Sequence, residues 1–177
     1  RKLITEKNLS FREAKEIVSS STIFTTHTPV PAGSDIFPLE MIDRYFGNYW
    51  PQLGIHRDEF VRLGFRPEDP YGFNMAVLAL NTSGQKNGVS KLHGIISRII
   101  YKSLWPDIPE DEVPINHITN GVHTMTWLAP NFRYLFDKYL PSDWQSRMHD
   151  PTVWEDIDKI PDEEIWKTHM VLKARMV

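Results

Sequence analysis

Residues 21–35 read STIFTTHTPVPAGSD, a short β-rich run followed directly by a histidine and a loop rich in proline and glycine. Residues 21–26 are β-branched and aromatic, which predicts a short buried strand. The loop can be neither helix nor central strand, because its prolines lack the amide hydrogen that both structures need. His27 therefore stands at the C-terminal end of a predicted strand.

Helical patterns lie on both sides of this strand. The predicted helices cover residues 11–19 with Ser10 as N-cap, 38–46, 74–80, 88–104 with Asn87 as N-cap, and the chain from residue 130 onward. Residues 49–71 are rich in proline, glycine and aromatics, and we expect them to be irregular. Residues 113–118 predict a second strand, which ends in the turn Thr119-Asn120-Gly121.

The helix predicted over residues 88–104 has a marked division of faces. A broad apolar stripe, typical of a face turned to the core, is formed by Val89, Leu92, Ile95, Ile96, Ile99 and Ile100. Ser90, His93 and Ser97 share the opposite face, where we expect contact with solvent or with a neighbouring loop.

Alternation of helices with β-rich runs predicts an α/β fold with a parallel sheet. In such sheets ligands bind beyond the carboxyl ends of the strands. This rule singles out His27 and the Asn120-Gly121 turn, and the start of the helix after Asn87 is a third candidate because helix N-termini present free N–H groups.

Composition narrows the classes of function. The 177 residues carry a net charge of -3, so a basic footprint for nucleic acid is missing. The sequence contains no cysteine, which fits a reducing, cytoplasmic compartment and excludes thiolate metal sites. The seven histidines form no HExxH pattern, and we predict no metal. No apolar run approaches the roughly 20 residues of a membrane-spanning helix, so we expect no membrane partner.

Taken singly, the candidate residues have ordinary structural explanations. His27 fits a structural histidine, Asn-Gly pairs are common in turns, and His93 fits a solvated side chain. The first residue is Arg1, and the last predicted helix has a start near Pro161 but no stop signal before residue 177. We therefore expect a segment of a longer α/β protein, with three loops placed to form a cleft.

Three ordered stretches together resemble one family, the α-glucan (glycogen, starch and maltodextrin) phosphorylases. They are FTTHTPVPAGSDIFP at 24–38, NMAVLALNTSGQKNGVSKLHGIISR at 74–98 and ITNGVHTMTWL at 118–128. Three motifs in the same order are far more specific than any one of them. The sequences of these motifs look closest to those of the short bacterial and archaeal branch of the family.

The resemblance implies a glycosyltransferase of two Rossmann-like lobes, the GT-B fold, with the active site between them. Residues 1–119 would be the C-terminal part of the N-terminal lobe, and 120–177 the lobe junction and the start of the C-terminal lobe. The implied reaction is reversible phosphorolysis of terminal α-1,4-linked glucose to glucose 1-phosphate. The implied partners are the glucan, inorganic phosphate, the remaining lobe and further copies in a homo-oligomer. Pyridoxal 5'-phosphate would be the cofactor of the full-length enzyme, and its lysine would lie outside this chain.

The resemblance also assigns roles to residues. It implies that the His27 side chain meets the sugar 6-hydroxyl and that its main-chain carbonyl lies near the anomeric carbon, which makes His27 catalytic. Substrate binding is implied for His27, Asn87, Gly88, Val89, His93 and Asn120.

Some positions depart from the regulated animal enzymes. Thr26 replaces an asparagine, residues 29–35 replace an acidic stretch, and the run that begins at His123 replaces a basic one. These departures argue against carrying over the acceptor preference and allosteric control of the animal enzymes. Two alternatives stay open: a glucan synthase of the same fold that uses a nucleotide sugar, and a non-catalytic glucan-binding domain.

Overall fold

A computed structural model describes residues 1–30 and 33–176. Pro31 and Ala32 of the predicted loop, and Val177 at the end of the last predicted helix, lie outside the described residues. The chain divides into two compact units, Arg1–Asn120 and Gly121–Val177. Their assignment to two lobes of a larger enzyme stays a prediction.

The first unit is built on a small parallel sheet. The strands of this unit are β1 Ile23–Thr26, β2 Ile36–Pro38, β3 Gly72–Asn74, β4 Gln85–Gly88 and β5 Asn116–His117. Strands β1, β4 and β5 form a parallel sheet with β4 in the middle, whereas β2 and β3 form a separate antiparallel pair. The predicted α/β fold with a parallel sheet is therefore confirmed.

Helices surround the sheet in the first unit. They are α1 Lys2–Lys7, α2 Phe11–Ser20, α3 Leu39–Phe46, α4 Arg57–Arg62, α5 Met75–Asn81 and α6 Lys91–Tyr101, with 3-10 helices at Trp50–Leu53, Lys102–Leu104 and Glu110–Glu112. The helices predicted over 11–19, 38–46 and 74–80 are confirmed to within a residue at each end. The irregular segment predicted over 49–71 was wrong in part, because it contains α4, whose first turn carries Asp58 and Glu59 at the positive end of the helix dipole.

Side-chain caps explain where two of these helices begin. The Ser10 hydroxyl accepts the Glu13 amide at 3.3 Å, while the Glu13 carboxylate accepts the Ser10 amide at 2.8 Å, so the pair forms a capping box. At the start of α5, the buried Asn74 side chain accepts the Val77 amide at 3.0 Å. Each cap satisfies an amide that the helix itself leaves without a partner.

Strand β1 is less buried than the sequence predicted. It begins at Ile23, which is 66% exposed, and its other residues are only half-buried. The prediction of a buried strand was wrong because β1 lies at the edge of the sheet of the described unit, with β4 on one side. Strand β5 is also shorter than the predicted 113–118, although Val113 and Ile115 are buried in the core.

The predicted helix cap at Asn87 was wrong. Asn87 and Gly88 are the last residues of β4, and Ser90 is the N-cap of α6, where its hydroxyl accepts the His93 amide at 3.1 Å. Residues 85–88, QKNG, lack the β-branched side chains that predict a strand, so pairing with β1 and β5 decides their conformation. Helix α6 also ends at Tyr101, before a 3-10 turn.

The orientation predicted for α6 was wrong as well. His93 and Ser97 face inward and are buried, whereas Leu92 is 68% and Ile99 49% exposed. Close packing against β5 explains this orientation. A Cβ added at Gly94 would stand only 3.0 Å from the His117 Cβ, so a large apolar side chain has no room on that face.

Two clusters of buried side chains form the core of the first unit. One joins α3, α4 and the β2–β3 pair through Ile42, Leu53, Ile55, Phe60 and Phe73. The other joins α5, the end of α6 and the run before β5 through Ala76, Leu80, Tyr101, Val113 and Ile115. The second cluster fixes the positions of α6 and β5, the two elements that flank the C-terminal end of β4.

The second unit has its own apolar core. Its helices are α7 Thr124–Trp127, α8 Pro130–Tyr139 and α9 Asp162–Ala174, with a 3-10 helix at Pro151–Lys159. Leu140, Trp144 and Val153 are buried, and the Trp144 indole N–H donates to Asp137 at 2.9 Å. Helix α9 begins after its N-cap Pro161, close to the predicted start, and ends at Ala174. Among the described residues, no helix is long and apolar enough to cross a membrane.

Candidate functional site

Three predicted site segments meet at the carboxyl edge of the parallel sheet. Thr26 pairs with Gly88, and Gly88 pairs with His117, so β1, β4 and β5 end side by side. Two backbone hydrogen bonds extend the contact beyond the strands: the Ile118 amide donates to the Gly88 carbonyl at 2.9 Å and the Asn120 amide to the Val89 carbonyl at 3.1 Å. The sheet thus brings together residues separated by more than 90 positions in the chain.

His27 is the first residue after β1, and its side chain is exposed. The parallel register places it beside the residues that follow β4, because Thr26 is opposite Gly88. A small cavity of about 200 Å³ opens on the same loop, lined in part by Thr26, Thr28 and Ser34. The histidine is therefore accessible at the position that the sequence predicted.

Asn87 is a buried residue that holds together the strands at the carboxyl edge of the sheet. It is 6% exposed, and its side-chain carbonyl accepts the Thr25 hydroxyl at 3.1 Å across β1 and β4. The side-chain amide of Asn87 donates to the Gly88 carbonyl at 3.3 Å. Both halves of the amide are engaged within the protein, so Asn87 ties the two strands together at the edge.

Gly88 allows the backbone of β4 to approach α6 closely. A Cβ added there would stand 2.9 Å from the Gly94 nitrogen and 3.0 Å from the His93 carbonyl carbon. Both neighbours are backbone atoms that cannot move independently, so any side chain at Gly88 would push the helix away from the strand. The glycine is needed for the tight turn from β4 into α6.

Asn120 is the last residue of the first unit. Its backbone is held by the bond to the Val89 carbonyl, while the residue is exposed to solvent. An amide side chain on an anchored backbone offers one acceptor and two donors to a ligand. This geometry suits the recognition of hydroxyl groups.

His93 is brought to the same turn, but it lies beneath the surface. The residue is 8% exposed, and its Nδ1 accepts the Val89 amide at 3.3 Å. The structure therefore assembles the predicted set with two exposed members, His27 and Asn120, above a framework of Asn87, Gly88, Val89 and His93.

Two further residues at this edge were missed by sequence reasoning. Thr25 donates to Asn87, and His117 is the exposed residue of β5 opposite Gly88. Neither could be found without the strand register. Strand pairing of β1 with β4, and of β4 with β5, leaves no local signal in the sequence.

Chemically, the edge offers imidazoles, amides and backbone groups. Among the described residues, no three His, Cys, Asp or Glu side chains lie close enough together to hold a metal ion. The guanidinium of Arg98 donates to the Ile115 carbonyl at 3.1 Å and so ties α6 to the run before β5. The arrangement suits the binding of a neutral, hydroxyl-rich ligand through directional hydrogen bonds.

The fold and this edge define an α/β protein whose candidate site lies at the carboxyl ends of parallel strands. The chain is 40% identical to a maltodextrin phosphorylase of Thermococcus litoralis over 97% of its length, and 42% identical to a glycogen phosphorylase of Mycobacterium tuberculosis over 100%. A glycogen phosphorylase of Aquifex aeolicus is 35% identical over 98%. No protein-family model matches the chain.

These matches identify the chain as a segment of an α-glucan phosphorylase, and the resemblance noted in the sequence is confirmed. The chain spans 20% of the Thermococcus protein, 21% of the Mycobacterium protein and 25% of the Aquifex protein. It is therefore similar to only about a fifth to a quarter of the length of these relatives.

Proposed function

We propose that this chain forms the sugar-facing side of the active site of an α-glucan phosphorylase. The observation that carries the proposal is the bond from the Asn120 amide to the Val89 carbonyl, which joins two of the three family-like segments, while strand register places the third beside them. The full-length enzyme would cleave terminal α-1,4-linked glucose with inorganic phosphate and release glucose 1-phosphate.

The proposed chemistry is a substitution at the anomeric carbon of the terminal glucose. A phosphate oxygen forms the new bond to this carbon, with retained configuration, as the glycosidic bond breaks and the proton of hydrogen phosphate passes to the departing glucan oxygen. Positive charge develops on the sugar ring during this step. A preorganised carbonyl dipole, here that of His27, would stabilise that charge in the transition state.

The side chains would bind the sugar hydroxyls. The His27 imidazole is exposed at the end of β1 and would meet the 6-hydroxyl. Asn120 would hydrogen-bond a second hydroxyl from its anchored backbone. Asn87, Gly88 and Val89 would close the turn around the same region, with Asn87 acting through its bond to Thr25.

The cofactor of the full-length enzyme would be pyridoxal 5'-phosphate, held by residues beyond this chain. An aldehyde cofactor needs a lysine amine, and the site residues named above supply imidazoles and amides instead. Lys86, next to Asn87 in β4, donates its Nζ to the Ser83 carbonyl at 2.6 Å. These residues are therefore not suited to hold the cofactor.

The same proposal places the two compact units in the two Rossmann-like lobes of a GT-B enzyme, with the boundary near residue 120. The partners would be an α-1,4-glucan, inorganic phosphate, the remaining lobe and further copies of the enzyme in a homo-oligomer. A sequence without cysteine supports a cytoplasmic location.

The test is to express the complete reading frame and incubate it with maltodextrin, with and without inorganic phosphate. Phosphate-dependent release of glucose 1-phosphate, together with pyridoxal absorbance, is the expected result. Glucan extension from a nucleotide sugar instead would indicate the synthase. Glucan binding with neither activity would indicate a binding domain, and either outcome would overturn the proposal.

A further inference from the structure

His93 occupies the third position of α6, and its amide and its side chain both take part in capping the start of this helix. The His93 amide donates to the Ser90 hydroxyl at 3.1 Å, and the His93 Nδ1 accepts the amide of Val89 at 3.3 Å. In a capping box the side chain at this third position is a glutamate or glutamine that reaches back to the N-cap amide. Here an imidazole takes that role and reaches one residue further back.

This contact determines the tautomer of the ring. Because Nδ1 accepts a hydrogen bond, the neutral imidazole must carry its hydrogen on Nε2. The Nε2 atom is buried and has no partner among the described residues. The ring is therefore covered by other protein atoms, which favours an indirect role over contact with a sugar.

Val89, the residue whose amide His93 binds, connects the parts of the candidate site. The Val89 amide is bound by His93, and the Val89 carbonyl accepts the Asn120 amide at 3.1 Å. Gly88, one residue earlier, accepts the Ile118 amide at 2.9 Å. A change in the orientation of the Val89 residue would thus be transmitted directly to the segment that presents Asn120.

We propose that His93 is a positioning residue, whose Nδ1 fixes Val89 and, through the Val89 carbonyl, the segment that carries Asn120. The inference rests on the proposed function, since it gives His93 a purpose in sugar binding. It replaces the direct sugar contact that the sequence suggested for His93 with an indirect one. Asn120 contacts the sugar, and His93 sets where Asn120 lies.

The first test needs no substitution. Nitrogen-15 NMR of the His93 ring in the 177-residue chain should show a protonated Nε2 and an unprotonated Nδ1 at neutral pH. The opposite tautomer would overturn the inference, because a protonated Nδ1 cannot accept from Val89. This measurement is independent of any catalytic activity.

The second test keeps or removes the acceptor by substitution. In His93→Asn the side-chain oxygen replaces Nδ1 as an acceptor, whereas His93→Leu keeps much of the side-chain volume and has no acceptor. Hydrogen exchange at the Val89 amide should stay close to wild type in His93→Asn and become about five- to tenfold faster in His93→Leu and His93→Ala. The Gly94 amide, which donates to the Ser90 carbonyl at 2.8 Å, is the internal control.

Turnover of the full-length enzyme gives the third readout. His93→Asn should rescue most of the kcat/KM for phosphorolysis that is lost in His93→Ala, whereas His93→Leu should not. A loss in His93→Asn as large as that in His93→Ala, with exchange at the Val89 amide still close to wild type, would mean that the ring acts on the substrate in another way, and would overturn the positioning role. If the wild-type enzyme shows no phosphorolysis, the proposed function fails, while the NMR and exchange results still decide the role of the His93 contact.

Discussion

At the scale of single residues, the candidate site divides exposed side chains from a buried framework. His27 and Asn120 face solvent at the edge of the sheet, whereas Asn87 and His93 are buried below them. The hydrogen bonds of the buried side chains, from Thr25 to Asn87 and from the Val89 amide to His93, hold the backbone of this edge in one arrangement. A ligand therefore has to order the exposed side chains but not the backbone that carries Asn120.

Replacing His27 by alanine tests the exposed side. In the full-length enzyme we expect kcat for phosphorolysis to fall about fivefold, since one hydrogen bond to the transition state contributes on the order of 1 kcal/mol, with little change in glucan affinity. His56→Ala, at an exposed histidine before α4, is the control. Turnover of His27→Ala near that of His56→Ala would contradict the role of the side chain.

Replacing Thr25 by valine tests the buried framework beneath the candidate site. The change removes the hydroxyl that Asn87 accepts at 3.1 Å and leaves a buried carbonyl oxygen without this partner. We expect the free energy of unfolding to fall by about 1–3 kcal/mol, measured by urea denaturation. Thr26→Val, one position along the same strand, should cost less, and equal losses for the two variants would argue against the Thr25–Asn87 bond.

At the scale of elements, side-chain caps determine where the helices start, and their cost depends on burial. The Asn74 side chain accepts both the Val77 amide at 3.0 Å and the Ser34 hydroxyl at 2.9 Å, and the residue is 2% exposed. It therefore links α5 to the loop that begins at His27. Ser10 also caps a helix, but at an exposed site.

The two caps should differ in their effect on stability. We expect Asn74→Ala to lower the free energy of unfolding by about 2–4 kcal/mol, because the change removes a cap and leaves a buried amide unsatisfied. Ser10→Ala should cost only about 1 kcal/mol. Chemical denaturation of both variants measures the difference, and a larger loss for Ser10→Ala would show that burial does not govern the cost.

The cap of a 3-10 helix in the second unit makes the free energy of unfolding depend on pH. Asp150 caps the 3-10 helix Pro151–Lys159, and its hydrogen bonds with Arg147, and then with Thr152, lower the pKa of the carboxyl from 3.8 to about 2. Because the pKa is lower in the folded state, the stabilisation is present above the unfolded pKa of 3.8 and is lost as the pH falls toward 2.

Substitution of Asp150 tests that dependence. Asp150→Asn should be less stable than wild type near neutral pH, and the difference should vanish as the pH falls through the same window. Urea unfolding followed by tryptophan fluorescence measures this, with Asp158→Asn, at an exposed aspartate of the same helix, as control. A stability difference that stays constant down to the folded pKa would contradict the role of the Asp150 charge.

At the scale of the whole molecule, the first unit leaves an apolar helix face uncovered. Leu92 is 68%, Ile99 49% and Ile95 37% exposed, all on α6. Contiguous apolar surface of this kind promotes association in water. The relatives are four to five times longer than the part that this chain matches, so they have further chain available to cover such a face.

Self-association of the 177-residue chain should therefore depend on α6. We expect Leu92→Glu to shift the chain toward monomer in sedimentation velocity, because a charge on the stripe raises the cost of burying it. Lys91→Glu places the same carboxylate at the adjacent polar position, with an even larger change in net charge, and should still have less effect on association. If both variants associate like wild type, the α6 stripe does not drive association.

The sequence alone was enough to identify the family, three of the helices and the loop that follows His27. The periodic patterns at 11–19 and 38–46, the caps at Ser10 and the proline loop after His27 all act within a few residues, so they can be read without a fold. The rule that parallel sheets bind ligands at the carboxyl ends of strands also placed His27 and Asn120 correctly at one edge.

Features that depend on contacts between distant segments became visible only in the three-dimensional fold. Strand β4, with the sequence QKNG, exists because β1 and β5 pair with it on either side. Helix α6 turns His93 and Ser97 inward, against its hydrophobic pattern, because Gly94 must fit against His117. The pairing of β4 and the orientation of α6 depend on close packing between backbone segments that are far apart in the chain. The order of polar and apolar side chains along the sequence does not contain this information.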